Sequence, residues 1–188
     1  MSNANQAIDY DVAIIPAIVA PGATYWRAVE VRHLSPSENR GRHNVYVDVV
    51  DPQGRRVFDP ALRIGWTWHG RRQDEAAPPR PLDKPLSEPA GSLDMYINQT
   101  LTVWLADPNR ATDAVDGLHT RHPDERGPLG QLWNTIGHHS FYIRFQLTTA
   151  AGELPPPDAT LSLAERVAAL EAWREDVDRY FRQITGEL

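Results

Sequence analysis

The chain has 188 residues, 41% hydrophobic and 23% charged, enough for one globular domain with a proper core plus an appendage. A net charge of −6 argues against a nucleic-acid partner, because phosphate binding needs a clustered positive field. The absence of cysteine excludes disulfides and thiolate metal sites, and no apolar run approaches the ~20 residues of a membrane span. The stretch before Val12 is polar and acidic, with no basic residue, so no secretory signal is read there. The expected settings are the cytoplasm, a virion, or the outside of the cell reached by another route. Lys84 is the only lysine, an arginine bias that genome composition explains as well as function does.

Residues 1–24 read as an irregular arm with one short strand, Val12 to Ile15, punctuated by Pro16, Pro21 and Gly22. Residues 25–150 then carry strand patterns. Tyr25 to Leu34 is the first. His43 to Val50 is the clearest, with Val45, Val47 and Val49 on one face and Asn44, Tyr46 and Asp48 on the other. Asp51-Pro52-Gln53-Gly54 is a turn, and Arg55 to Phe58 leads on to Leu62 to His69, where Leu62, Ile64, Trp66 and Trp68 share a side. A proline-rich loop, Gly70 to Ser92, cannot sit inside a sheet. Leu93 to Ala106 resumes strand character, Asp107 to Gly137 reads as a second long loop, and His138 to Thr149 is the last strand. There Phe141, Ile143, Phe145 and Leu147 point inward and Tyr142, Arg144 and Gln146 outward. Strands without intervening helices predict a mainly β fold, an antiparallel β-sandwich of Ig-like or jelly-roll-like form.

Residues 151–159 include Pro155, Pro156 and Pro157, a stiff hinge. Residues 160–186 predict an amphipathic helix, with Ser162 and Glu165 as a capping box and Gly186 as its stop. Leu163, Val167, Leu170, Val177, Phe181 and Ile184 recur at about the 3.5-residue coiled-coil period, with Arg174 as one break. Arg166 and Glu171 flank that core in the pattern Arg, apolar, any, any, apolar, Glu, which resembles the trimerisation motif of parallel three-stranded coiled coils. The helix is therefore expected to make the protein a homo-oligomer, a trimer first. The alternative is that it folds back on its own sandwich.

His119, His122, His138 and His139 are of a type that binds zinc, but no spacing among them is diagnostic, and hydrogen bonds pinning a loop are the plainer reading. Core packing is the plainer reading for Trp66 and Trp68. Trp104, Tyr142 and Tyr46 fall on outward faces, where aromatic rings form platforms for sugars, and Arg71 is a candidate partner for hydroxyls. No catalytic residue or cofactor is assigned, a metal at the histidines being the exception to test.

Three strings carry a resemblance: Ser35 to Val49 around Glu38-Asn39-Arg40-Gly41, Gly117 to Glu125 around His119 and His122, and Gly137 to Tyr142. Together they resemble β-sandwich accessory modules appended to bacterial and phage cell-wall hydrolases. The resemblance spans roughly Tyr25 to Thr149 and implies a carbohydrate-facing or surface role. The expected function is thus non-catalytic binding of a polysaccharide or cell-surface glycan, made multivalent by the helix. The alternatives are a structural or assembly protein of a phage or particle, making only protein contacts, and a metal-dependent enzyme built on the histidines.

Overall fold

The computed structural model describes residues 4–97, 99–120, 129–130 and 139–150, all within one compact unit, Met1–Ala150. The hinge at 151–159 and the helix at 160–186 lie outside the described residues, as do His122 and His138.

Among the described residues the chain is mainly β. Its strands are β1 Ala13–Ile15, β2 Thr24–His33, β3 Asn44–Val50, β4 Arg63–Trp68, β5 Arg80–Pro81, β6 Gly91–Asp94, β7 Thr100–Ala106, β8 Ala114–His119 and β9 Phe141–Thr149. They form a five-stranded sheet, β1-β8-β7-β4-β5, and a four-stranded sheet, β2-β9-β3-β6. A 3-10 turn, Ile8–Tyr10, and one helical turn, α1 Pro36–Asn39, complete the regular structure. Ser35 and Glu38 cap α1 reciprocally and Pro36 opens it, which is why four residues suffice for a turn.

The inward faces of both sheets feed one apolar cluster. Trp26, Ala28, Val31, Val45, Val47, Val49, Phe141, Ile143 and Phe145 come from the four-stranded sheet; Ile64, Leu101, Val103, Leu105, Val115 and Leu118 come from the other. The alternation in β3 and β9 thus sorts their faces as the sequence predicts, with every inward residue of Val45 to Val49 and Phe141 to Phe145 fully buried. Trp66 and Trp68 pack on the same cluster, as expected, but remain partly exposed.

Four expectations need correction. The pairing is not wholly antiparallel: β3 and β9 run parallel, Tyr46 beside Tyr142 and Asp48 beside Arg144. About ninety residues separate them, ample for the crossover a parallel pair requires. Leu93 to Ala106 is not one strand, because the chain passes between sheets there, from β6 to β7. The loop read over Asp107 to Gly137 contains β8, which lies between β1 and β7. Arg55 to Phe58 makes only a single bridge, Arg56 to Val50. The proline-rich segment does supply β5, but Pro81 sits at a sheet edge, where a missing N–H costs nothing.

Candidate functional site

The two outward faces carry different chemistry. On the five-stranded sheet, Trp104 of β7 lies directly across from Gly65 of β4. Its indole rests on that glycine, so that a Cβ at residue 65 would fall among ring atoms Nε1, Cε2 and Cδ1. The glycine removes the side chain that would otherwise tip the ring upright, and the ring covers backbone that glycine leaves bare. Trp104 is half-buried. Among the described residues its Nε1 donates to no acceptor and no other ring packs on it.

One step further along that face stands Asp116. Opposite Thr102, β8 carries an extra residue, the register shifting between Leu101 and Val103. Gly117 absorbs the bulge with a φ of 82°. A Cβ there would also strike the Asp11 carbonyl, so glycine is required twice over. The bulge sets Asp116 where its Oδ1 accepts from Thr102 Oγ1 at 2.6 Å and meets His69 Nε2 at 2.8 Å. Oδ2 has no partner among the described residues, and the side chain is 24% exposed. An aromatic face, a free N–H donor and an oriented carboxylate oxygen therefore share one surface.

On the four-stranded sheet, β3 and β9 bring Tyr46 and Tyr142 side by side. Tyr142 does not offer a ring face. It is 8% exposed, and the guanidinium carbons of Arg32 and Arg144 lie 5.2 and 5.5 Å from its centroid. Its hydroxyl donates to Asp48 Oδ2 at 2.7 Å and accepts from Arg144 Nε and Nη2 at 3.2 and 3.1 Å. Burial, then the bond to Asp48, push its phenol up to about 12. Asp48 also takes the Ala90 N–H and an ion pair from Arg56, whose side chain is only 10% exposed. Tyr46, by contrast, lines a depression of about 540 Å³ with Arg42, Asn44, Lys84, Glu88 and Ser92.

Arg71 belongs to neither face. It follows β4, lies 5.6 Å over the Trp68 ring, and gives two guanidinium hydrogen bonds to the Glu75 carbonyl. Of the histidines, His119 ends β8, and His139 is buried against His33, Nδ1 to Nε2 at 2.7 Å. That separation is a hydrogen bond, well short of the roughly 3.3 Å between two ligands of one tetrahedral zinc. Burial, then His139, push the His33 imidazole down to about 4, against the opposing pull of Glu38. Tyr10 stacks on it at 3.9 Å. Among the described residues no group of three His, Asp or Glu is placed to hold a metal ion.

Sequence patterns alone missed Gly65, His69, Thr102 and Asp116. One signal was present: a lone glycine inside an alternating strand marks a close approach by something else. No family model, curated protein or solved structure matches the chain. No described helix is long and apolar enough to cross a membrane.

Proposed function

We propose that the domain is a non-catalytic carbohydrate-binding module that receives a sugar ring on Trp104, with Asp116 and the indole N–H taking its hydroxyls. The observation that carries this is the indole seated on Gly65, without a hydrogen-bond or ring partner among the described residues. A pyranose presents an apolar C–H face, which an aromatic face attracts, and a rim of hydroxyls, which need oriented acceptors and donors. Neighbouring same-face positions on a strand are ~7 Å apart, a span one sugar residue covers.

The energetics favour a weak single site. Stacking contributes about 0.5–1.5 kcal/mol and a hydrogen bond to a carboxylate about 1.5–3. Set against the cost of association, these two contacts alone give a site no tighter than about the millimolar level. Such a site works best in several copies, which fits the coiled coil expected at 160–186 and its trimer motif at Arg166 and Glu171. It also fits the resemblance to accessory modules that face cell-wall or cell-surface glycans.

Affinity electrophoresis tests the reading directly. In gels carrying soluble xylan, mannan or hydroxyethylcellulose, the full chain should be retarded by at least one, and Trp104→Ala should lose part of that retardation while keeping a cooperative thermal melt. Unretarded wild-type protein that forms large defined assemblies by light scattering would instead mark a structural component making only protein contacts.

A further inference from the structure

We infer that the opposite face carries a second, independent carbohydrate site: a groove along β3, floored by Tyr46, that takes a neutral oligosaccharide. This rests on the carbohydrate-binding reading but uses none of the residues around Trp104. Two depressions stand side by side on that face, of about 400 and 540 Å³, each in the ~300–1,000 Å³ range of small-ligand sites. Tyr46 lines one and Asp48 the other, and these are successive outward residues of β3. The segment 86–89 walls both, Leu86 on the first and Ser87 to Pro89 on the second. The two depressions thus follow one another along β3, with the Arg56 bond to the Glu88 carbonyl joining their walls.

Its charges decide the ligand class. Arg56 pairs with Asp48, Arg144 with Glu30 at 2.9 Å, Arg32 with Glu38 at 2.7 Å, and Lys84 lies 3.9 Å from Glu88. Each of these four cations faces a carboxylate, leaving Arg42, which reaches the Tyr46 hydroxyl at 3.4 Å. The cations lining the two depressions, Arg42, Lys84, Arg56 and Arg144, outnumber the carboxylates Asp48 and Glu88, but three of the four are held by carboxylates, so an anion arriving here finds few cations free to receive it. A neutral polyhydroxylated chain meets dense, fixed donors and acceptors beside one aromatic ring. Arg56 lines the smaller depression, and its buried Nη1 has no acceptor among the described residues. Asn44 and Ser92 add short polar arms along the larger one. With binding surfaces on both outward faces, a single copy can bridge two polysaccharide chains.

The same gels, run with the full chain, separate the two sites. Tyr46→Ala and, independently, the double variant Lys84→Ala/Ser92→Ala should each weaken apparent affinity about five-fold, the loss of one stacking or hydrogen-bonding contact. Combining Tyr46→Ala with Trp104→Ala should abolish retardation. Polygalacturonate should retard the protein no more than the neutral polymers do. If both groove variants match wild type while Trp104→Ala loses binding, the groove inference fails and the Trp104 reading stands. If the groove variants lose binding while Trp104→Ala does not, the groove stands and Trp104 is wrongly assigned. Stronger retardation by polygalacturonate would overturn the neutral ligand class, and no retardation of wild type in any gel would overturn both sites.

Discussion

Gly65→Ala is the sharpest perturbation the fold offers, because it changes one methyl group beneath the proposed platform. A Cβ at residue 65 lands among the Nε1, Cε2 and Cδ1 atoms of Trp104, so either the indole holds and is overpacked or it swings away. Overpacking costs about 1–3 kcal/mol. Swinging costs about 0.5–1.5 kcal/mol if it forces an off-rotamer ring. Against both, alanine restricts the unfolded chain and contributes about 0.4–1 kcal/mol of stability. Trp104 is a half-buried surface side chain and free to turn, so the second route wins and the net loss is about 1 kcal/mol or less. For a chain of this size that lowers the melting temperature by about 2–4 °C. Binding should suffer more than stability, since a tilted ring no longer offers a flat face. Thermal melts with polysaccharide affinity gels, read beside near-ultraviolet circular dichroism for the tryptophan environment, check all three. A Gly65→Ala variant with unchanged dichroism and unchanged retardation would refute the seating of the ring and its role together.

Asp48→Ala should be the most damaging single change on the other face. It leaves the Arg56 guanidinium, 90% buried, with only the Glu88 carbonyl, and takes away the acceptor of the Tyr142 hydroxyl and of the Ala90 N–H. Breaking such a pair costs about 3–5 kcal/mol, measurable as a fall in urea midpoint. Tyr142→Phe removes only the hydroxyl between Asp48 and Arg144 and should cost about 1–2 kcal/mol in the same assay. Acid should weaken the fold through His33. Its imidazole is held near 4 when folded and titrates near its usual 6.5 when unfolded, so the unfolded chain binds the extra proton between those values. Stability is complete above about pH 6.5 and declines as pH falls toward about 4, by about 1–2 kcal/mol once the partial exposure of the ring is allowed for. His33→Gln should flatten that decline in urea titrations at several pH values. Sedimentation of the full chain against a version ending at Pro157 tests the expected coiled coil: the full chain should be oligomeric and the shortened one monomeric.

Strand faces were legible where alternation is unbroken, as in Val45 to Val49 and Phe141 to Phe145, because a two-residue period leaves one assignment of inside and outside. β8 was not legible, for a local reason. Asp116 and Gly117 insert a bulge into a six-residue strand, so Val115 and Leu118 are buried on one face three residues apart, a spacing that reads as no strand at all. The parallel pairing of β3 and β9 was hidden for a different reason, since nothing local in either strand names a partner about ninety residues away. That pairing decides which outward aromatics are free. Because Asp48 lies beside Arg144 and Tyr46 beside Tyr142, the Tyr142 hydroxyl falls within reach of both charged groups and its ring is roofed by arginines. Trp104 has Gly65 for a neighbour instead, and among the described residues no other ring or charged group covers it. Outward direction follows from the sequence of one strand, but availability follows from the register of two. The same alternation rule therefore placed Tyr142 and Trp104 alike, and their cross-strand partners separate a tyrosine buried under arginines from a half-buried tryptophan seated on glycine.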